Sequence, residues 1–332
     1  MRVCRCHVEG THAMTPAIET VNLTRRYGRM VALDHLNLTV ARGSIYGFIG
    51  PNGAGKTTTL RLLAGLIEPT SGEVRLMGQR LIPGGGQRLV GYMPDFFGVY
   101  DDLRVWEYLD FFARCYGLEA ARRRRTVDEL LNLVDLADRR NAYVQSLSRG
   151  MQQRLCLAHA LVHDPPVLLL DEPASGLDPR ARVELRELLR TLRDMGKTVL
   201  VSSHILSELA EVCNEIGIID SGKMIVSGPV ETVRRQLEGS ARLRIRVLRG
   251  LETARALLQR VAATPEEGLP RLRGVRADPS DEAVVLVEVE ESDEERQAAL
   301  LTRLVQAGVV VSEFRAQAEN LEELFLRLTA AE

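Results

Sequence analysis

One segment limits the possible folds of this chain more than any other: a glycine-rich loop between a predicted strand and a predicted helix. It follows the apolar run at residues 44–49 and precedes the leucine-rich run at 60–63. The loop consists of Gly50, Pro51, Asn52, Gly53, Ala54, Gly55, Lys56, Thr57 and Thr58. It matches the G-x-x-x-x-G-K-[ST] pattern, in which backbone N–H groups surround phosphate oxygens and the helix N-terminus adds positive potential. We expect Lys56 to reach the terminal phosphates and the Thr57 hydroxyl to bind Mg²⁺.

A second motif narrows the choice among proteins with such a loop. Residues 167–170 are four consecutive apolar residues, which is typical of a strand buried on both faces. Asp171 and Glu172 follow directly. We expect Asp171 to hold the Mg²⁺ shell and Glu172 to polarise a water for in-line attack on a phosphate. The alternative, two solvated acids at a strand end, is weak after a phosphate loop.

Composition excludes several other classes of protein. The 332 residues are 45% hydrophobic and 27% charged, which is typical of a globular chain with room for two domains. No stretch approaches the roughly 18 apolar residues of a membrane span. The formal net charge of −2 gives no reason to expect nucleic-acid binding. Five scattered cysteines fit a reducing compartment better than a disulfide framework.

Three further motifs occur in a fixed order with the first two. Residues 147–154 lie between them, and residues 175–179 and 201–204 follow them. All five together resemble the nucleotide-binding subunit of an ABC transporter over about residues 18–239. The resemblance implies an α/β P-loop NTPase of the ABC type. Its parts would be a RecA-like core, an antiparallel β subdomain and a helical subdomain at about residues 96–160.

The resemblance also implies roles for individual residues in binding and hydrolysing ATP with Mg²⁺. Tyr27 would stack on adenine, although a surface tyrosine at a strand end is the alternative. Ser148 and Gly150 would contact the γ-phosphate bound to a second copy of the chain, and Asp178 would cross the homodimer interface. His204 would contact the γ-phosphate and help to position the water, while Lys56 and Mg²⁺ neutralise charge.

The chain departs from the family pattern at two positions. The family's signature usually reads Leu-Ser-Gly-Gly-Gln, whereas this chain has Arg149 and Met151 within residues 147–151. Arg149 adds positive charge beside a phosphate, so we expect binding to be retained. Asp95 stands where the family usually has a glutamine that senses Mg²⁺ and the membrane partner. Because aspartate can reach Mg²⁺ through a water, we expect hydrolysis to be retained with altered coupling.

The resemblance implies that the chain works with other polypeptides. It carries one cassette and no membrane domain, so we expect a separate integral-membrane permease and a peripheral location on the cytoplasmic face of the cell membrane. The overall pattern is similar to bacterial exporters. The region at about residues 96–147, with its aromatic segment around Trp106, would receive the permease's coupling helix together with the Asp95 loop, and ordinary core packing is the alternative for the aromatic residues. Two rival functions are a translation or DNA-repair ATPase and a regulatory module with little turnover.

The two ends of the chain differ from the cassette between them. Residues 1–15 are predicted to be a disordered leader, whose Cys4, Cys6, His7 and His12 lack zinc-finger spacing. The ATPase domain is predicted at residues 16–239 and an accessory domain at 240–332. In the latter, the strand candidates 242–248, 271–276, 283–290 and 309–315 alternate with the helix candidates 251–262, 293–306 and 320–328. This β-α-β-β-α-β order predicts a ferredoxin-like α+β domain.

Two local clusters of residues each allow a structural and a functional interpretation. The four arginines at residues 122–125 are interpreted as a solvated helix face, with lipid-headgroup contact as the alternative. His159 and His163 have the spacing of a metal-binding pair on a helix. Because no acid follows at zinc-protease spacing, we expect a packed helix instead.

Overall fold

A computed structural model of the chain describes residues 15–82, 85, 88–95, 98, 102–237, 241–278, 281–290 and 293–317. The predicted leader up to Met14 and the predicted helix at residues 320–328 lie outside these residues, as does the predicted boundary at residue 239. By its backbone contacts the chain divides into two compact units between Val230 and Glu231. None of the described helices is long and apolar enough to cross a membrane.

The first unit contains ten strands and six helices in its described residues, with two short 3₁₀ helices. In chain order they are β1 (Ile18–Tyr27), β2 (Met30–Val40), β3 (Ile45–Ile49), α1 (Lys56–Leu63), β4 (Ser71–Leu76), β5 (Gln79–Arg80), β6 (Val90–Met93), α2 (Val105–Cys115), α3 (Ala120–Leu133), the 3₁₀ helices Ala137–Arg139 and Val144–Ser146, α4 (Arg149–Leu161), β7 (Val167–Leu170), α5 (Pro179–Asp194), β8 (Thr198–Ser203), α6 (Leu206–Ala210), β9 (Glu215–Asp220) and β10 (Lys223–Pro229). Helix α7 (Val230–Leu237) begins at the division between the units.

A six-stranded sheet forms the centre of the first unit, in the order β10-β9-β3-β8-β7-β6. Strands β9, β3, β8, β7 and β6 are parallel, and β10 runs antiparallel beside β9. Every residue of β3, β7 and β8 is buried, as expected for parallel strands covered on both faces. Because the carboxyl ends of parallel strands meet at one edge, the loops after β3, β6, β7 and β8 lie together.

A second, antiparallel sheet has the order β2-β1-β4-β5. Its apolar side chains alternate with exposed ones along β2 and join the same core as β3 and α1. Leu33 of β2 belongs to this core, which brings the β1–β2 hairpin against the phosphate loop. The sheet is the antiparallel β subdomain that the sequence predicts.

Helices α2, α3 and α4 lie between β6 and β7 in the sequence, and they pack against one another. The aromatic segment supplies α2, on which Tyr108 is buried and Phe111 is exposed. A Cβ on Gly91 of β6 would lie 2.1 Å from the carbonyl oxygen of Ala160, so only glycine lets α4 approach the strand this closely. The strand that leads to Asp95 is therefore in direct contact with the helix that begins at residue 149.

His159 of α4 and His163, which lies beyond the end of this helix, are both stacked on aromatic rings. His159 is stacked on Phe112 with 3.7 Å between ring centroids, and His163 is stacked on Tyr116 at 4.0 Å. In the described part of the chain no group of three histidine, cysteine, aspartate or glutamate side chains could hold a metal ion. His159 therefore packs α4 against α2, and His163 joins the segments that follow these two helices.

The second unit alternates strands and helices in the order that the sequence predicts. Its elements are β11 (Ala241–Arg249), α8 (Leu251–Ala263), β12 (Leu272–Asp278), β13 (Asp281–Val289), α9 (Glu294–Gln306) and β14 (Val310–Gln317). The strands form an antiparallel sheet in the order β12-β13-β11-β14. Leu258 of α8 and Leu300 of α9 are fully buried with Ile245 and Val287 of the sheet, so this unit has its own core.

Candidate functional site

The phosphate loop joins β3 to α1 and requires glycine for steric reasons. A Cβ on Gly50 would lie 2.4 Å from the carbonyl oxygen of Ile219. Gly55 has φ of +109°, and a Cβ there would lie 2.7 Å from the Leu33 side chain. Gly53 also has a positive φ, of +86°. The loop can therefore pack closely on β2 and β9 while its backbone turns sharply into the N-terminus of α1, where Lys56 begins the helix.

Lys56 is buried and its ammonium group has three oxygen neighbours. Nζ donates to the carbonyl oxygens of Gly50 at 2.7 Å and Pro51 at 3.2 Å. It also lies 3.2 Å from Glu172 Oε1. The two carbonyl contacts are hydrogen bonds, whereas the contact with Glu172 is an ion pair, since Oε1 has no hydrogen-bond partner among the described residues.

Asp171 and Glu172 follow β7 at the carboxyl edge of the sheet. Burial raises the pKa of Asp171 and the charges of Glu172 and Asp95 raise it further, while the Ser202 and Thr57 hydroxyls act to lower it. Asp171 Oδ2 is buried and has no hydrogen-bond partner of good geometry within the described residues. Glu172 has φ of +48°, a left-handed conformation that is uncommon for a residue with a side chain.

His204 follows β8 and completes the group around Glu172. Its Nδ1 lies 2.9 Å from Glu172 Oε2, and its side chain is 46% exposed. The Glu172 carboxylate is thus held between a buried ammonium on one oxygen and an imidazole on the other. Groups separated by more than a hundred residues along the chain converge here because β3, β7 and β8 are neighbouring strands.

The candidate Mg²⁺ ligands Thr57, Asp95 and Asp171 share this edge. Asp95 follows β6, the neighbour of β7, and is exposed. It is close enough for its charge to raise the pKa of Asp171. One hydroxyl and two carboxylates form the hard oxygen set that Mg²⁺ prefers, and the buried Asp171 Oδ2 is available as a ligand. The residues therefore fit the cation.

Tyr27 ends β1 at the tip of the hairpin that packs on the phosphate loop. Its side chain is 41% exposed, and the guanidinium of Arg25 lies 4.5 Å from the ring centroid. One ring face thus contacts a cation from the same strand. An exposed aromatic ring in this position could stack on a base through its other face.

The remaining predicted residues lie together at a separate surface, which we call the signature surface. Ser148 is the N-cap of α4, where its Oγ accepts from Met151 N at 3.4 Å. Asp178 is the N-cap of α5, where its Oδ1 accepts from Ala181 N at 2.9 Å. Both line an open depression of about 480 Å³ with Gly150. Two helix N-termini therefore face one cavity, an arrangement that favours an anion.

One residue at the acidic edge, Ser202, belongs to the motif at residues 201–204, but the sequence-based predictions give it no role. Ser202 of β8 is fully buried and hydrogen-bonds both to Asp171 and to the backbone of Glu172. The available signal was a polar residue directly after three buried apolar ones, Val199–Val201, in a strand beside the acidic one. The motif alone does not reveal the contact with the two acids, because the contact is made between neighbouring strands.

Comparison with known proteins places this geometry in a family. The sequence profile described as "ABC transporter" matches residues 33–175. The Nod factor export ATP-binding protein I of Ralstonia nicotianae is 41% identical over 227 residues, which cover 67% of this chain and 70% of that protein. The bacitracin transport ATP-binding protein BcrA of Bacillus licheniformis is 39% identical over 226 residues, with 67% and 73% covered.

Similar solved structures belong to the same family as these relatives. A structure described as the ATP-binding subunit of an ABC transporter has a TM-score of 0.60 and 32% identity, over 66% of this chain and 92% of that one. A bacterial ABC transporter cassette solved as a dimer has a TM-score of 0.59 and 27% identity, over 64% and 98%. The chain therefore belongs to the ABC transporter family, as one of its ATP-binding and ATP-hydrolysing subunits.

Proposed function

We propose that this subunit powers the export of a substrate through a separate integral-membrane permease, by ATP-driven dimerisation and hydrolysis on the cytoplasmic face of the cell membrane. The observation that carries hydrolysis is the Glu172 carboxylate held between Lys56 and His204 beside a phosphate loop. Export is supported by the relatives, whose names describe Nod factor export and bacitracin transport.

The phosphate loop and the β1–β2 hairpin bind ATP in this proposal. Backbone N–H groups within residues 50–58 surround the β- and γ-phosphates, and Lys56 donates to them. Tyr27 stacks on adenine with the ring face opposite Arg25. Support comes from the glycine-dependent curvature of the loop and the exposure of the tyrosine ring.

Thr57 and Asp171 would hold Mg²⁺, with Asp95 reaching it through a water. When bound, the cation neutralises charge on the phosphates during transfer. The chain's own contribution is to keep Asp171 Oδ2 buried and without a hydrogen-bond partner among the residues that the structure describes. Asp95 is a full negative charge at this position, and we infer that it retains hydrolysis while altering coupling to the permease.

Glu172 and His204 act on the attacking water. Glu172 accepts a proton from the water and orients it for in-line attack, and His204 contacts the γ-phosphate and fixes the carboxylate through its Nδ1. The left-handed backbone at Glu172 turns its side chain away from the strand direction and toward His204. Because both partners are on rigid strand ends, little reorganisation is needed.

The site is complete only in a homodimer. Ser148, Gly150 and Asp178 lie at the signature surface, and we infer that they contact ATP bound to a second copy of the chain. Two-fold symmetry then gives two composite sites. Loss of the γ-phosphate after hydrolysis removes these contacts and lets the dimer open. The solved dimer of a related bacterial cassette supports this assembly.

We infer that the second unit is a ferredoxin-like accessory domain. The alternation of its elements and the strand order β12-β13-β11-β14 are those of a split βαβ fold. No catalytic role is assigned to it.

The test of the proposed function compares ATP turnover of the purified subunit with that of Glu172→Gln. Sizing in ATP and Mg²⁺ gives the oligomeric state of each. We expect the variant to lose turnover by at least about a hundredfold, because an amide cannot take up the proton, and to accumulate as an ATP-bound dimer. Glu187→Gln, an exposed pair with Arg190 on α5, is the matched control and keeps both properties. Absence of turnover in the native chain, alone and with a permease, would favour the regulatory module.

A further inference from the structure

The hydroxyl of Ser202 lies between the two acidic residues of the site. Its Oγ donates to Asp171 Oδ1 at 2.7 Å and accepts from the backbone N–H of Glu172 at 3.0 Å. Ser202 is fully buried on β8, the strand that pairs with β7. A single hydroxyl therefore connects β8 to both acids at the end of β7.

The first of these hydrogen bonds selects which oxygen of Asp171 remains available. Oδ1 is engaged by Ser202, while Oδ2 is buried and lacks a hydrogen-bond partner in the described part of the chain. Rotation of the carboxylate would break a buried hydrogen bond, which is unfavourable. The orientation that presents Oδ2 is thus fixed by Ser202.

The second hydrogen bond holds the backbone where it turns. Glu172 has a left-handed φ of +48°, which the backbone of a residue with a side chain adopts only when its surroundings enforce it. The N–H of Glu172 donates to Ser202 Oγ and not to a backbone carbonyl of the ladder. Ser202 thereby stabilises the turn that directs the Glu172 carboxylate toward His204.

We propose that Ser202 is a positioning residue for ATP hydrolysis, which orients Asp171 for the metal ion and the Glu172 backbone for activation of the water. This inference rests on the roles proposed above for Asp171 and Glu172. Groups that orient metal ligands by hydrogen bonding typically change metal affinity or activity by about 10–100-fold when removed. A serine that only fills a buried strand position would change neither.

Thr198, at the other end of β8, separates these two cases. It is equally buried, and its Oγ1 accepts from Gly43 N at 2.9 Å. Thr198→Val removes a buried hydroxyl from the same strand, far from the acids. Ser202→Thr is the conservative variant, since it keeps the hydroxyl, and Ser202 lines in part a cavity of about 40 Å³.

The experiment uses the full chain and three readouts for each variant. ATP affinity in EDTA reports the nucleotide site alone. Mn²⁺ binding to the ATP-loaded protein, followed by the electron paramagnetic resonance of free Mn²⁺, reports the metal site without turnover. Steady-state ATPase gives kcat and KM. For Ser202→Ala we expect unchanged ATP affinity in EDTA, at least tenfold weaker Mn²⁺ binding, and a kcat at least tenfold lower with KM changed less than threefold.

Three results would overturn the inference. The first is a Ser202→Ala variant whose Mn²⁺ affinity and kcat stay within twofold of the native values. The second is equal losses in Ser202→Ala and Thr198→Val. The third is failure of Ser202→Thr to recover Mn²⁺ binding. A native chain without turnover would contradict the proposed function, whereas the Mn²⁺ measurement would still decide the role of Ser202.

Discussion

The guanidinium of Arg149 packs directly over Gly176. A Cβ on Gly176 would lie 2.5 Å from the Arg149 Cζ atom, and the glycine has φ of +69°. Gln153, one turn further along α4, donates to the carbonyl oxygen of Ser175 at 3.0 Å. The arginine that replaces a glycine of the family's signature therefore lies across the loop that leads to Asp178, and α4 holds that loop at two points.

The first prediction concerns dimerisation. Arg149→Gly should weaken ATP-dependent dimerisation by up to about fivefold, because one exposed charge facing a phosphate contributes roughly 0.2–1 kcal/mol. The ATP affinity of the monomer should not change. Sedimentation in ATP at low and high salt measures dimerisation, with Glu172→Gln present in both proteins to stop turnover, and titration with ATP measures the affinity of the monomer. The native dimer should weaken more with salt than the variant dimer does. Equal salt dependence would show that Arg149 does not face a phosphate.

The second prediction concerns coupling through Asp95. Asp95→Gln restores the residue usual in the family, and we expect hydrolysis to persist while the stimulation of ATPase by the permease changes by at least about twofold. Asp95→Asn is the control for charge, since it keeps the length of the side chain. ATPase assays with and without the reconstituted permease, together with transport, give the answer. If hydrolysis and transport both stay at native levels in Asp95→Gln, Asp95 does not tune coupling.

The third prediction concerns acid stability. Burial, together with the charge of His163, lowers the pKa of His159 to about 4. The unfolded chain, with a histidine pKa near 6.5, binds the proton more readily, so this contribution to stability is present above about pH 6.5 and is lost as the pH falls toward 4. Between pH 7 and 5 the free energy of unfolding of the native protein should fall by about 2 kcal/mol more than that of His159→Gln.

Urea unfolding at the two pH values measures this difference. Trp106 is the chain's single tryptophan and lies on α2, so its fluorescence reports the unit that contains His159. A lower overall stability of the variant does not affect the result, because the comparison is between the changes in the free energy of unfolding with pH. Parallel pH dependence in the two proteins would mean that His159 is not neutral in the folded state.

The fourth prediction separates the four consecutive arginines of α3. Arg123 donates to Asp110 Oδ1 at 2.9 Å and to the carbonyl oxygen of Leu118 at 3.1 Å. Burial acts to raise the pKa of Asp110, but Arg123 and Arg114 hold it below its usual value. Arg123→Met should lower the free energy of unfolding by about 1–3 kcal/mol. Arg124→Met, at an exposed position, should lower it by less than about 0.5 kcal/mol. Urea unfolding at pH 7 measures both values, and equal losses would contradict the structural role of the Arg123 contacts.

Local patterns in the sequence predict much of the architecture. The apolar runs before Gly50 and Asp171 are β3 and β7, and the elements predicted after residue 240 agree with the observed strands and helices to within about two residues where the structure describes them. The ABC-type P-loop fold is confirmed. These features depend on periodicity and loop chemistry, which neighbouring residues determine.

Contacts between distant side chains could not be predicted in this way. Ser202 reaches Asp171 because β7 and β8 pair in one register, and a shift of one residue would turn its hydroxyl to the other face of the sheet. Arg123 differs from Arg124 only in which side of α3 it occupies. Such contacts depend on how elements pack, which neighbouring residues in the sequence do not determine.

The ammonium group of Lys56 has partners of two kinds. It donates hydrogen bonds to the carbonyl oxygens of Gly50 and Pro51, and it forms an ion pair with Glu172 Oε1, an oxygen without a hydrogen-bond partner among the described residues. In the proposed mechanism a phosphate oxygen that approaches Nζ competes with Glu172 for the same positive charge. Binding of ATP would then weaken the hold of Lys56 on the carboxylate that is proposed to accept the proton, so that nucleotide binding and activation of Glu172 become one exchange of charged partners.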